Sequence, residues 1–265
     1  MTLSLRSIRV WRTTNGFPQS RSFSVKELSW CQPSSRSSNG STPVLTTQGG
    51  DASLPGSTTK HKDQNLPSWD PIERFGIVVA MSKNRIIGLC GKLPWNAPND
   101  RQHFKDLTSD KVIIVGRKTY HDTPGERNIA HARHCIVVST TASDDMGSEK
   151  VLVARSLSEA LHIAKQLKHT TSSDVSPDCW VCGGERLYLE ALHHKSAQEL
   201  HLTVVDTVVD VLPLANGQTP EVAMFPAKYR WDRFFVEESR RSDAGNGTDI
   251  PDCTYIVFGR KKRIG

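Results

Sequence analysis

The sequence predicts an α/β domain on a mostly parallel sheet, and three observations carry that prediction. Short, nearly continuous β-branched runs recur: "FGIVVAM" (75–81), "KVIIVG" (111–116), "HCIVVST" (134–140) and "CWVCGG" (179–184). Strands buried on both faces read this way. Stretches of helical period lie between them, and that alternation places covering helices over a parallel sheet. Hydrophobic residues at 37% and charged residues at 23% supply enough apolar surface for a core.

The elements follow in order. "NDRQHFKDL" (99–107) predicts a short helix, with Asn96 as its cap and Pro98 in the first turn, where a missing N–H costs nothing. "SLSEALHIAKQL" (156–167) carries Leu157, Ala160, Leu161, Ala164 and Leu167 on one face and opens on the capping-box pair Ser156 and Glu159. "RLYLEALHH" (186–194) is a helix behind a double glycine. The C-terminal third differs, because "ELHLTVVDTVV" (199–209), "RWDRFFVEES" (231–240) and "TYIVFGRKK" (254–262) are strands with no helix between the last two. A turn containing Asp243-Ala244-Gly245-Asn246-Gly247 makes those two an antiparallel edge pair. With no internal repeat, the chain divides into a leader (1–50), a linker (51–71) and one folded domain (72–265).

The leader holds Arg6, Arg9, Arg12, Arg21, Lys26 and Arg36 against the single acid Glu27, so most of the net +6 sits there. A basic, Ser-rich, acid-poor N-terminus has the composition of an organelle transit peptide, and "Arg21-Ser22-Phe23-Ser24" is similar to a mitochondrial processing site cleaved after Phe23, so the expected address is mitochondrial. A disordered tail without an address is the competing reading. Cations gathered in a leader argue against a nucleic-acid face, which needs them on folded elements. No apolar run reaches the roughly 20 residues of a membrane-spanning helix. Six cysteines are scattered, and the one close pair, Cys179 and Cys182, lies in a strand-like run where positions three apart face opposite ways. That spacing predicts two small buried residues, not a redox or zinc motif.

Three places carry more chemistry than the fold needs. Asp100 falls in a helix's first turn, where the dipole favours an acid by about 0.3–1 kcal/mol. It also shares a face with Phe104, one turn on, so it points inward. An inward carboxylate needs donors, and a ligand with two adjacent N–H groups would supply them. Gly116-Arg117-Lys118-Thr119 ends a strand with two cations, a hydroxyl and helix-start amides, which suits a phosphate. Cys182-Gly183-Gly184-Glu185-Arg186-Leu187-Tyr188 joins a strand to a helix through glycines that let a ligand approach the backbone. It is neither the three-glycine dinucleotide fingerprint nor a P-loop. Two phosphate-type turns in one sheet suggest a ligand with two phosphate groups.

These residues resemble the dihydrofolate reductase family. The series Ile87-Gly88, Leu93-Pro94-Trp95, Asp100, Phe104 and Thr108 is similar to its signature, and Gly116–Thr119, Arg133, Gly183-Gly184, Tyr188 and Leu202-Thr203 continue it. The resemblance implies an eight-stranded, mainly parallel sheet with an antiparallel C-terminal strand and helices on both faces. It implies NADPH-dependent reduction of 7,8-dihydrofolate to 5,6,7,8-tetrahydrofolate for one-carbon metabolism. Asp100 would bind the pterin edge, supported by Thr203, and favour protonation of N5, directly or through a water near Trp95. Val78, Cys182, Phe104 and Tyr188 would line the substrate, and Arg133 would pair with its glutamate carboxylate. Residues 88–95 would form a mobile loop over the nicotinamide. Ala80, Ile87, Gly116, Arg117, Lys118, Thr119, Ser139, Thr140, Gly183, Gly184, Glu185 and Arg186 would line NADPH, with Arg117, Ser139 and Thr140 on its 2′-phosphate. No metal is implied. A monomer is expected, and a separate thymidylate synthase partner is left open.

Some positions depart from the family pattern. Arg101 stands where an apolar residue is usual, Ala130-His131-Ala132-Arg133 replaces a Pro-Gly-Arg, Arg127 is a rival carboxylate partner, and Glu185 replaces a small residue. The competing functional readings are an NADPH-dependent reductase of riboflavin synthesis and a folate- or dinucleotide-binding protein without turnover. Neither needs the Trp95 and Asp100 pair.

Overall fold

The computed structural model describes residues 74–122, 129–141, 147–167, 177–214, 216–226, 231–247 and 249–261. The leader, the linker and Arg127 lie outside the described residues.

The β-branched runs form strands β1 (Phe75–Ser82), β3 (Val112–Gly116), β4 (His134–Val138) and β6 (Cys179–Val181). To these the chain adds β2 (Ile86–Leu89), β5 (Val151–Ala154), β7 (Ala197–Val205), β8 (Val222–Met224), β9 (Phe235–Asp243) and β10 (Cys253–Arg260). The main sheet runs β5-β4-β3-β6-β1-β7-β10-β9, with β2 and β8 forming a separate pair. All neighbours from β5 to β7 are parallel, and β10 runs antiparallel to both β7 and β9. The predicted α/β class and eight-stranded sheet are therefore present.

Helices α1 (Pro98–Thr108), α2 (Arg117–Asp122), α3 (Leu157–Gln166) and α4 (Glu185–His193) join these strands. In α3 the Ser156 side chain accepts from the Glu159 N–H, while the Glu159 carboxylate accepts from the Arg155 N–H at 2.6 Å. That is a reciprocal cap, displaced by one residue on the return arm. The stripe Leu157, Ala160, Leu161 and Ala164 is buried against one face of the sheet with Ile77, Ile114, Ile136 and Val181. The other face carries a smaller cluster of Ile113, Val115, Cys135 and Val137. Cys179 belongs to the first cluster and Cys182 packs on the second, so the pair straddles the sheet. Burial pushes the Cys179 and Cys182 thiols up and raises Cys135 to about 12, which keeps all three protonated.

Several boundaries differ from expectation. Asn96 is exposed and does not cap α1; Ala97 holds that position without a side-chain hydrogen bond. Ala97 is buried against Val205, Cys253 and Tyr255, so packing sets where this helix starts. The strand expected over 199–209 ends at Val205, where Thr207 N–H turns back to the Val205 carbonyl. The strand expected at 231–240 opens as a 3₁₀ turn (Trp231–Arg233) and becomes β9 only at Phe235. β9 is a sheet edge, exposed from Val236 to Ser242 and carrying the ion pairs Arg240–Glu237 and Arg241–Asp243. Gly88 and Leu89, expected in a loop, lie in β2 and pair with Ala223 and Val222.

Candidate active site

The sheet reverses its winding at β1: the chain runs out through β3, β4 and β5, then returns to place β6 beside β1 and β7 on the far side. Crevices outside the carboxyl ends of strands at such a reversal are where open α/β sheets bind ligands. The sequence-predicted residues gather at those ends. Ala80 is near the end of β1 and Gly116 closes β3; Ser139 and Thr140 follow β4, and Cys182, Gly183 and Gly184 follow β6. Thr203, late in β7, sits in register between Ala80 and Tyr255.

At one end lies Asp100, 8% exposed although it is an acid. Burial raises its pKa, against the lowering effects of a hydrogen bond from the Thr203 hydroxyl and the charge of Arg101. Its charge in turn helps to raise the Tyr188, Cys253 and Tyr255 pKa values, each of which is moved first by burial. The carboxyl is thus enclosed among groups that do not ionise near neutral pH. Trp95 packs between the clusters around Ala97 and Leu89, and its buried indole N–H has no acceptor among the described residues. Tyr188 donates its hydroxyl to the Val78 carbonyl at 2.9 Å, which pins α4 to the central strand. Phe104 is half-buried and meets His131 edge-on with ring centroids 5.5 Å apart.

His131 was not singled out from sequence. Thr108 donates its hydroxyl to the Phe104 carbonyl at 2.6 Å, so its oxygen accepts from His131 Nε2–H at 2.7 Å. Burial lowers the His131 pKa, with the Lys105 charge as a second cause. The ring is therefore a neutral imidazole beside Phe104.

At the other end, the Gly183–Gly184 peptide is cis and Gly183 has φ +130°. The Gly183 carbonyl accepts from Gly116 N–H at 2.7 Å, tying two turns into one surface. A Cβ on Gly184 would sit 3.0 Å from the Thr119 hydroxyl, so a side chain there would crowd Thr119. Arg117 donates to the Thr141 hydroxyl at 2.8 Å, Thr141 N–H donates to the buried Ser139 hydroxyl, and Arg155 reaches the Thr140 carbonyl at 3.5 Å. Thr141 and Arg155 carry no motif that would have marked them in the sequence. Lys118 is ion-paired with Glu221. Arg186 is exposed and pairs with Glu190. Glu185 points away from the glycine turn, its carboxylate accepting from Met224 N–H at 3.0 Å on β8. β8 pairs with β2, which also carries Ile87.

Arg133 immediately precedes β4. It donates to both Asp178 carboxylate oxygens, at 2.6 and 3.5 Å, and to the carbonyls of Asp110 at 2.5 Å and Leu167 at 3.3 Å. Among the described residues no group of three His, Cys, Asp or Glu could hold a metal ion.

Comparison with known proteins accords with this geometry. The sequence model of the family described as dihydrofolate reductase matches residues 74–255. Bifunctional dihydrofolate reductase-thymidylate synthase 2 of Arabidopsis thaliana is 33% identical over 203 residues, covering 71% of this chain and 35% of that protein. The chain therefore spans about a third of that relative's length. Dihydrofolate reductase of Enterococcus faecium is 38% identical over 109 residues, covering 41% of this chain and 59% of that protein. A solved dihydrofolate reductase from Enterococcus faecalis, complexed with NADP(H) and RAB-propyl, superposes with a TM-score of 0.55 at 23% identity. That superposition covers 72% of this chain and 98% of the other.

Proposed function

The chain belongs to the dihydrofolate reductase family, and from that membership we propose that it reduces 7,8-dihydrofolate to 5,6,7,8-tetrahydrofolate with NADPH. The observation that carries the reading is Asp100, an acid kept almost out of water with one side-chain donor, Thr203. An enclosed carboxylate with spare lone pairs favours a ligand bearing adjacent N–H groups, as on the amino edge of a pterin.

Asp100 binds and orients that edge, Thr203 fixes the carboxyl, and Phe104 packs on the ring. Val78 and Cys182 offer backbone carbonyls, and the Tyr188 hydroxyl holds Val78 in place. The raised pKa makes the Asp100 carboxyl a better proton source near neutral pH than an exposed acid would be. The Trp95 N–H, without an acceptor among the described residues, can hold a water that carries the proton to N5. When bound, NADPH supplies the hydride that reaches C6.

The residues present fit that cofactor. The Gly183-Gly184 cradle, which a Cβ on Gly184 would fill, takes a pyrophosphate against backbone, with Thr119, Lys118 and Arg186 beside it. Arg117, Ser139 and Thr140 suit a 2′-phosphate, which favours NADPH over NADH. Ala80 and Ile87 border the nicotinamide end, and Gly116 belongs to the glycine cradle. Glu185, turned toward β8, steadies the strand that pairs with β2.

The deciding experiment follows NADPH oxidation by purified protein with dihydrofolate, with and without an antifolate. Antifolate-sensitive turnover supports the reading, and folded protein that oxidises no NADPH with dihydrofolate refutes it. The reading extends to a monomer with a separate thymidylate synthase partner, tested by mass measurement in solution, and to mitochondrial import through residues 1–50. A reporter fused to those residues should enter mitochondria; diffuse signal would reject the address.

A further inference from the structure

After β7 the chain leaves the sheet but stays buried. Val205, the last residue of β7, pairs with Ser82 on one side and Cys253 on the other. Four residues on, Val209 is buried although it lies in no strand. One side chain satisfies both of its backbone groups. Asn84 Nδ2–H donates to the Val209 carbonyl at 3.0 Å, and Val209 N–H donates to Asn84 Oδ1 at 3.1 Å. The amide thus stands in for a neighbouring strand, offering one donor and one acceptor to the chain beside it.

Asn84 is itself held in the turn between β1 and β2. There the fully buried Ser82 donates its hydroxyl to Asn84 Oδ1 at 2.7 Å and accepts from Ile86 N–H at 2.9 Å. Lys83 N–H donates to the Thr207 carbonyl at 2.9 Å, and the Lys83 ammonium pairs with Asp206, so the turn grips the segment along its length. The site asks for an oxygen that accepts twice and a nitrogen that donates once. An amide meets that demand, whereas a carboxylate would face the Val209 carbonyl with no proton to offer.

The clamp supports the indole of Trp95. Val205 belongs to one of the two clusters on which Trp95 packs, and Val209, with Ile86 and Leu89, belongs to the other. The segment from Val205 to Val209 is therefore the seat of that ring, fixed at one end by the sheet and at the other by Asn84. The same ring carries the buried N–H that has no acceptor among the described residues.

We propose that Asn84 is a positioning residue for the reduction: through Val209 it fixes the Trp95 indole, and with it the water that carries the proton to N5. This inference rests on the reductase reading.

The test is a double-variant cycle of Asn84→Ala with Trp95→Phe, which isolates what one residue does through the other. In the parent background Asn84→Ala should lower kcat about tenfold, a share of what a well-placed proton transfer supplies. The KM for dihydrofolate should hardly move, directly measured NADPH binding should stay the same, and the solvent isotope effect on kcat should rise. In the Trp95→Phe background, which has no indole N–H to place, the same change should cost less than about twofold. A second arm needs no turnover. In ligand-free protein the Trp95 emission, taken as the difference between each protein and its Trp95→Phe counterpart, should be quenched more readily by acrylamide in Asn84→Ala. Asn84→Asp, which keeps the size and the acceptor, carries both arms if the alanine variant does not fold. An equal loss of kcat in both backgrounds, or unchanged quenching, overturns this inference alone while the parent still reduces dihydrofolate. A parent protein that oxidises no NADPH with dihydrofolate overturns the reductase reading and the inference with it.

Discussion

The two ends of the crevice hold charge in opposite ways. Around Asp100 the carboxyl is buried, one hydroxyl supports it, and its neighbours Tyr188, Cys253 and Tyr255 stay neutral. Around the glycine turn the charged groups Lys118, Glu221, Arg117 and Arg186 are exposed or paired with partners that water can replace. Burial makes one acid expensive and chemically potent, whereas exposure makes several charges cheap and exchangeable. The pterin end should therefore tolerate no change, and the cofactor end should degrade by degrees.

The largest effect expected is at Asp100. Asp100→Asn keeps the shape and removes the proton source, so turnover at neutral pH should fall by about 10²–10⁴-fold. Part of it should return in acid, where solvent can protonate N5; a pH–rate profile checks both. Equal profiles for variant and parent would erase the distinction between the two ends.

Gly183→Ala comes next, because φ +130° is a conformation that L residues rarely adopt. The change should cost about 1–3 kcal/mol in urea unfolding and raise the KM for NADPH. Arg117→Gln should weaken NADPH by about tenfold, one lost charge-assisted contact. It should leave NADH nearly unaffected, which would locate the 2′-phosphate; equal loss for both cofactors would move that phosphate elsewhere. The smallest effect is expected at the exposed Lys118–Glu221 pair. Glu221→Gln should change stability by less than about 0.5 kcal/mol, and only at low salt.

Much of the fold was legible because burial on both faces leaves an unmistakable pattern. Val112 to Val115 are all buried, and such a run reads as a central strand. The edge of the molecule was harder. β5 and β8 have only 4 and 3 residues, too short for a periodic signal. β9 is nearly all exposed, so its start could not be read from hydrophobicity. At the site, Asp100 was legible from its helical spacing to Phe104, and the glycine turn from its two adjacent glycines. Asp178 and His131 were not, since their importance comes from Arg133 and from Thr108, each distant in sequence. Glu185 is the instructive case: beside a phosphate turn an acid looks misplaced, but Met224 N–H, brought close only by the fold, takes it away.

The most direct test of the contrast is the unfolding free energy of parent and Asp100→Asn as a function of pH. A carboxyl whose pKa is raised by folding binds its proton more tightly in the native state, so its unfavourable contribution appears as pH rises through that folded value. At neutral pH the Asn variant should accordingly be the more stable protein. The advantage should shrink as pH falls and vanish below about 3.8, where both states of the parent are protonated. An Asn variant that is less stable than the parent at neutral pH would mean that the carboxylate is well compensated without a ligand, and the account of Asp100 would be wrong.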